Sequence, residues 1–485
     1  MNKKMSSQAI KYSFISYIGY IIGIISTIFL YSSELEFYGT LRYILATSLL
    51  LSSFFSLGLN ATIIKLYNEL TNKGFINSFI CLSLIVIIVF ISLNYFTFDL
   101  LKEFFFTFGG ANFWNYMNFI FPIICLYSLN SVIYSFLANF YITAIPNIFD
   151  SLLPKVNMII SFIYFLYYKD ACGALLLFVI LSFISTVILF LFMKKKTGLS
   201  FDFNVNFWKD NSIRKEVISF SSFSILNSFL YAIITQIGMV MLGESNDLKI
   251  NGIYAVIYSI IGLINIPLLA VSKSSTPLIS DFIDNENIRD LNSFYKKTSL
   301  SLFFIGSFLF LIIATNFDSF FSILNKGELV GHFNIICILG LALMIDLLTG
   351  INSNIINRSK HYKINTAFII ITALISLTVS FLLIIYYKLG IMGVAISTFI
   401  SMLVFNGLKL FFNYKFLKIH PFSKKMLPIL ISIILVLFVS QNFIFFNKFY
   451  FLFINSISII FLYGIINYCY KIIPIKDIYK FNNKT

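Results

Sequence analysis

"DSLLPKVNMIISFIYFLYYKDACGALLLFVILSFISTVILFLFMKKK", Asp150 to Lys196, holds most of two apolar runs, read as 147–168 and 172–193. Only Lys169 and Asp170 separate them, and three lysines close the second. Each run can cross a bilayer, which needs about 20 residues, so the stretch reads as a tight hairpin of two membrane helices. Lys155 does not fit that reading. In a helix starting near Pro146 it lies about 13 Å inside, at about 1.5 Å per residue. An ionisable group at that depth is a functional candidate by default. Its alternatives are to snorkel back to the interface or to pair with Asp150, five residues earlier and poorly placed on the same α-helical face.

The rest of the chain repeats the pattern. Of 485 residues, 59% are hydrophobic and 11% charged, against roughly 25% charged in soluble domains; mean hydropathy is +0.90. The runs parse as fourteen spans: 12–31, 39–64, 76–98, 116–137, 147–168, 172–193, 217–242, 250–272, 298–317, 334–356, 364–387, 390–412, 427–444 and 449–470. No alternating ten-residue segments of the kind a membrane barrel needs are present. The expected fold is an all-α polytopic membrane protein.

Charge placement tests the parse. With the N-terminus inside, most of the 35 Lys and Arg fall on the cytoplasmic side, including Lys194–Lys196, Lys296, Lys297, Lys409 and the tail lysines Lys476, Lys480 and Lys484. The other side holds Arg42, Lys102, Lys169, Lys249, Lys326, Lys388 and Lys448. This is the positive-inside bias; it puts both termini in the cytoplasm and accounts for the net charge of +15 as topology and contact with anionic lipid, with no nucleic acid needed. "MNKKMSSQAIKY" before the first run looks like a signal peptide without a small-residue cleavage site, and reads as the start of an uncleaved span. The five cysteines lie scattered in apolar runs without metal spacing, and no metal or cofactor is expected.

No loop is long enough to be a domain. Ser13, Ser16, Tyr20, Gly23 and Thr27 in the first span share their spacing with Ser221, Ser224, Ser228, Tyr231 and Thr235 in the seventh. "YYKDACGA" (167–174) echoes "YYKLGIMGVA" (386–395), and "FYGTLRY" opening the second span echoes "INGIYAVIY" opening the eighth. Three echoes in register read as a parallel duplication, 6+6+2. The implied division is 1–196 for one six-helix lobe, 197–216 for a cytoplasmic linker, 217–418 for the second lobe, and 419–485 for two extra spans and a tail. Duplicated halves suit a transporter with a substrate path between them, and the two matching stripes are its expected walls.

"LEFYGTLRYILATSLLLSSFFSLGLNATIIKLYNE" (35–69) resembles the segment after the first span of bacterial polysaccharide flippases, with Glu36, Tyr38, Gly39, Gly58, Leu59 and Lys65 at the matching positions. "QIGMVMLGESNDLKINGIYAVIYSI" (236–260) resembles the corresponding second-half segment, through Gly252 and Tyr254. That family belongs to the multidrug/oligosaccharidyl-lipid/polysaccharide exporter superfamily. Members often carry an acidic residue where this chain has Gly238, so any ion-coupling role of that position is missing.

The resemblance implies two pseudo-symmetric lobes around a central cavity in the bacterial cytoplasmic membrane. Its implied cargo is an undecaprenyl-diphosphate-linked oligosaccharide, an O-antigen or capsular repeat unit. The other partners it implies are membrane lipids and polysaccharide polymerase and chain-length proteins. Lysine and arginine bind diphosphate by charge and hydrogen bonds, which makes Lys155, Arg42 and Lys273 the candidates for that group. Asn60, Asn227, Gln236 and Asn265 are candidates for the sugar, although such residues also join helices. Asp346, in mid-span, is the candidate for ion coupling.

No catalytic residues are expected. His332, His361 and His420 lie in separate loops, no Gly-rich phosphate loop is present, and "DFIDNENIRD" (281–290) lacks EF-hand spacing. Three other readings remain open: a multidrug or small-cation exporter of the same superfamily, a membrane glycan polymerase or acyltransferase, and an exporter of another prenyl-linked precursor such as a peptidoglycan or teichoic acid unit.

Overall fold

A computed structural model describes residues 3–100, 111–203, 205–245, 247–442 and 447–473. Lys102, Lys476, Lys480 and Lys484 lie outside the described residues, as do the side chains of Lys3, Lys4 and Lys273. All regular structure described is helical: α1 (Lys3–Phe29), α2 (Leu35–Phe55), α3 (Leu59–Asn72), α4 (Ile76–Leu100), α5 (Ala111–Asn139), α6 (Leu153–Tyr168), α7 (Ala171–Thr197) and α8 (Asn211–Ser245). There follow α9 (Leu248–Ile261), α10 (Ile266–Asp284), α11 (Ile288–Ile323), α12 (Phe333–Thr349), α13 (Asn352–Arg358), α14 (Tyr362–Ser380), α15 (Gly390–Phe416), α16 (Met426–Asn442) and α17 (Lys448–Tyr470). Hydrocarbon offers backbone groups no partners, so apolar runs of this length close their own hydrogen bonds as helices.

Among the described residues, twelve segments are long and apolar enough to cross a membrane. A thirteenth, α12 with α13, is bent by 46°, and the shorter apolar helix within Met426–Ser440 falls where the thirteenth expected span begins. Each expected span therefore has a helix, and the chain is a multi-pass membrane protein. What the apolar runs did not reveal is that several spans are broken. The second span divides at Leu57 and Gly58, both at positive φ (52° and 63°). The tenth divides at Gly350, φ 57°. The fifth enters through a π-helical turn, Ile148–Leu152, just before Pro154. Proline has no N–H for the carbonyl four residues earlier, and widening of the preceding turn accommodates that loss.

Contacts at the helix ends agree with the order of crossings. Glu34 pairs with Lys169, and Asn112 Nδ2 donates to the Gly243 carbonyl at 2.6 Å; the parse puts all four on the outer side. Lys73 pairs with Asp210 at 2.8 Å, and Lys425 Nζ donates to the Tyr470 carbonyl at 2.7 Å; the parse puts these on the inner side. A miscounted span would have set such partners a bilayer apart.

By packing, the chain forms two units, Met1–Val256 with Leu377–Gly390, and Ile257–Ser376 with Ile391–Thr485. In the first, α2 runs along α5 and α8, and α6 along α7. Tyr31 stacks on Tyr38 (4.8 Å) and Phe37 on Phe165 (4.0 Å) beneath the Glu34–Lys169 bridge. In the second, α11 is the central helix, packed on α12, α16 and α17.

The third sequence echo is a physical contact within the first unit. A Cβ on Gly39 would lie 1.8 Å from the Leu248 carbonyl oxygen, and one on Gly252 would lie 1.9 Å from that of Leu35. The two halves of this contact are reciprocal: Leu35 and Gly39 of the second span meet Leu248 and Gly252 of the eighth. Only glycine allows backbones so close. Asn251 Nδ2 donates to the Gly39 carbonyl across the same crossing (3.1 Å).

Candidate functional site

Lys155 sits on the first turn of α6, directly after the π-helical turn and Pro154. Its stem lies in a groove that α1 opens by having no side chain at Gly19 and Gly23. A Cβ on Gly23 would be 3.3 Å from both Cδ and Cε of Lys155, and one on Gly19 would be 3.6 Å from Nζ. The ammonium stands over the Tyr20 ring, 4.6 Å from its centroid. Lys155 is thus held along α1 by shape and by a cation–π contact. The π-helical turn is anchored as well, since Asn147 Nδ2 donates to Ser16 Oγ and to the Tyr12 carbonyl, each at 2.9 Å.

Two further charges act on Lys155: Arg42 of α2 and Asp150 of the π-helical turn. Arg42 is half-buried, and its Nε is sealed from solvent without a hydrogen bond. The first unit therefore gathers two cations from different spans in one field, although Coulomb repulsion opposes that arrangement. An anion between them relieves the repulsion.

Beside this pair lies a cavity of about 320 Å³. Its polar lining includes Asp150, Tyr127, Asn130, Tyr134, Asn157 and Ser185. Asn130 Oδ1 is buried without a partner. Phenols, amides and hydroxyls in a half-apolar pocket suit ligands that combine hydrogen-bonding edges with apolar faces.

The other candidates are more scattered. Asn60 caps its own neighbour, accepting from the Ala61 N–H at 2.8 Å. On α8, Gln236 Nε2 lies 3.5 Å from Thr235 Oγ1 and Asn227 Oδ1 is buried without a partner. The matching stripes are largely used for packing. Ser16 and Gly23 face the fifth span, Thr62 Oγ1 and Ser221 Oγ are hydrogen-bonded at 2.8 Å, and Ser224 fits against Gly58. Tyr20 and Tyr231 keep 36% and 53% exposure. Small side chains let helices approach, and that use has taken much of the stripe.

In the second unit, Lys273 lies on α10. Asn265 ends the 3₁₀ turn before that helix, with its Oδ1 buried and unpartnered. Asp346 sits one turn before the Gly350 break and accepts from Asn406 Nδ2 of α15 at 3.2 Å. Its partner is thus on a segment 60 residues away in sequence.

One feature escaped the sequence reading. Lys409 was counted with the cytoplasmic lysines, yet it is 1% exposed; its spacing from Asn406 and Asn413, three and four residues, was the available signal for a buried polar face. Asp150, in the π-helical turn, contributes to the field at Lys155.

No family model matches the chain, and comparison with curated proteins finds no match. Solved structures do match. A Lipid II flippase MurJ in an inward closed conformation aligns with TM-score 0.71 at 16% identity, covering 95% of this chain and 98% of its own. A multidrug resistance MATE family transporter of the MOP superfamily, inward-facing, aligns with TM-score 0.63 at 14% identity, covering 84% and 98%. The Vibrio cholerae MATE transporter VcmN in its bent form gives 0.53 at 13% identity, covering 86% and 98%. The protein therefore has the fold of polytopic membrane transporters. More narrowly, that fold is the one shared by MurJ and the MATE transporters.

Proposed function

We propose that the protein is a flippase. In this reading it carries an undecaprenyl-diphosphate-linked oligosaccharide, an O-antigen or capsular repeat unit, across the bacterial cytoplasmic membrane by alternating access. The observation that carries the proposal is the convergence of Lys155 and Arg42 on one field within an apolar bundle, beside a cavity of phenols, amides and hydroxyls. A diphosphate cannot enter hydrocarbon unaided, and two fixed cations offset its desolvation. The sugar fits the polar cavity, and the prenyl tail stays in lipid.

The assignment extends to Lys273 for diphosphate binding, and to Asn60, Asn227 and Gln236 as sugar contacts. Asp346 is assigned to ion coupling. The basic-side bias supports termini in the cytoplasm, and the three sequence echoes support the 6+6+2 division into lobes. Polymerase and chain-length proteins are the proposed downstream partners. Export of another lipid-linked precursor is the second reading, favoured by the likeness to a Lipid II flippase over 95% of the chain. Export of small cations is disfavoured, because paired positive side chains repel such cargo.

The test is glycan display in cells that depend on this protein. Lys155→Ala lowers display while membrane abundance stays at the wild-type level. Wild-type display in that mutant removes Lys155 from the site.

A further inference from the structure

Lys409, fully buried on α15, is the least expected charge in the second unit. Its Nζ lies 3.6 Å from the centroid of the Phe405 ring and donates to Ser353 Oγ at 2.9 Å. From there a chain of hydrogen bonds runs on. Ser353 Oγ donates to Asn352 Oδ1 (3.4 Å), Asn352 Nδ2 to Asn406 Oδ1 (3.0 Å), and Asn406 Nδ2 to Asp346 Oδ1 (3.2 Å). Thr349 Oγ1 also donates to Asn406 Oδ1, at 2.9 Å. Every link donates in the same direction, away from the ammonium and toward the carboxylate. Such a file of aligned dipoles has its positive source at one end and its negative sink at the other. It spans the Gly350 break, so it ties α12, α13 and α15 together where the tenth span is discontinuous.

A buried ammonium is costly alone and tolerable when bonded through to a carboxylate, here the partly buried Asp346. Asp346 is also the charged group whose field acts on Lys409. We propose that Lys409 is the resident counter-cation of Asp346: the second unit carries its own tethered positive charge, and a monovalent metal cation can bind at Asp346 only in its place. This rests on the coupling role given to Asp346 above and adds a competitor to it. Coupling then takes the form of an exchange, with an incoming cation releasing Lys409 and unlocking the broken helix.

The test uses the full-length protein in detergent at fixed pH and ionic strength, with no cargo present. Thermal unfolding is measured in sodium and in N-methylglucamine salts for wild type, Lys409→Met, Asp346→Asn and the double mutant. Each single substitution is expected to lower the melting temperature. Lys409→Met does so by less than Asp346→Asn, because Asp346 is only partly buried. Asp346→Asn strands the buried Lys409 ammonium and lowers it by at least ~5 °C. The double mutant is expected to recover more than half of that loss. Sodium should stabilise Lys409→Met in a saturable way, stabilise wild type only at higher concentration because Lys409 competes, and leave Asp346→Asn and the double mutant unmoved. Additive losses in the double mutant, or an equal sodium response in all four proteins, overturn the proposal. If Lys409→Met fails to accumulate, the double mutant decides: recovered folding supports the pair, and failure alongside both singles refutes it. Since cargo plays no part, the flippase reading can fail while this result stands, and the reverse.

Discussion

Replacing Gly39 by alanine puts a methyl group where a carbonyl already stands. The added carbon would lie 1.8 Å from the Leu248 oxygen and 2.6 Å from the Gly252 nitrogen. Both neighbours are backbone, so no side chain can swing aside. Helices α2 and α9 must separate by ~1 Å or more, which costs ~1–3 kcal/mol as overpacking. The separation also stretches the 3.1 Å bond from Asn251 to the Gly39 carbonyl, adding ~1–3 kcal/mol for a buried group left unmade. Together these lower the melting temperature by roughly 5–15 °C for a unit of this size. The crossing is reciprocal, so Gly252→Ala is expected to cost about as much. The double mutant should cost less than the sum, because one separation makes room for both methyls. Thermal unfolding of the purified protein measures all three. An alanine at Gly39 within ~1 °C of wild type, or full additivity of the pair, would refute the idea that these glycines form one paired contact.

Pro154→Ala restores the N–H that the α-helical ladder lacks before Lys155. It is expected to leave abundance unchanged or raised while lowering glycan display, since a regular helix turns Lys155 away from the Gly19–Gly23 groove; unchanged display contradicts that. At the inner side, the Lys73 ammonium, helped by the N–H groups of Ile213 and Ser212, holds the Asp210 carboxyl below the usual carboxylate range. Asp210 in turn raises Lys73. The carboxylate's share of stability is present above its unfolded value and lost as pH falls through the lower folded one. The lysine's share is lost only as pH rises through its raised value. The bridge therefore stays formed between pH 6 and 8, and Asp210→Asn, at an exposed site, shifts melting by less than ~2 °C. A pH-dependent difference from wild type within that window counts against the pairing.

The spans were legible because each is a long apolar run. The breaks were not. Gly58, Gly350 and Pro154 sit inside apolar runs whose composition reads the same whether the helix is continuous or bent. Lys155 was visible as a charge out of place, but its groove was not, since Gly19 and Gly23 lie on another span. Lys409 was misjudged because a lysine near a helix end looks like an interfacial anchor until its partners, on segments more than fifty residues away in sequence, are in place.

The central claim is that two cations in the first unit draw a phosphorylated lipid-linked sugar into the membrane. Its most direct test is reconstitution into liposomes with a prenyl-diphosphate-linked oligosaccharide, scoring the glycan that becomes accessible to an impermeant glycosidase. The account predicts transfer by wild type, a drop of ~10-fold or more in Lys155→Met, equivalent to ~1.4 kcal/mol, and little change in Lys65→Met, an exposed lysine that does not line the cavity. Equal rates for wild type and Lys155→Met, or no transfer by wild type, would contradict it.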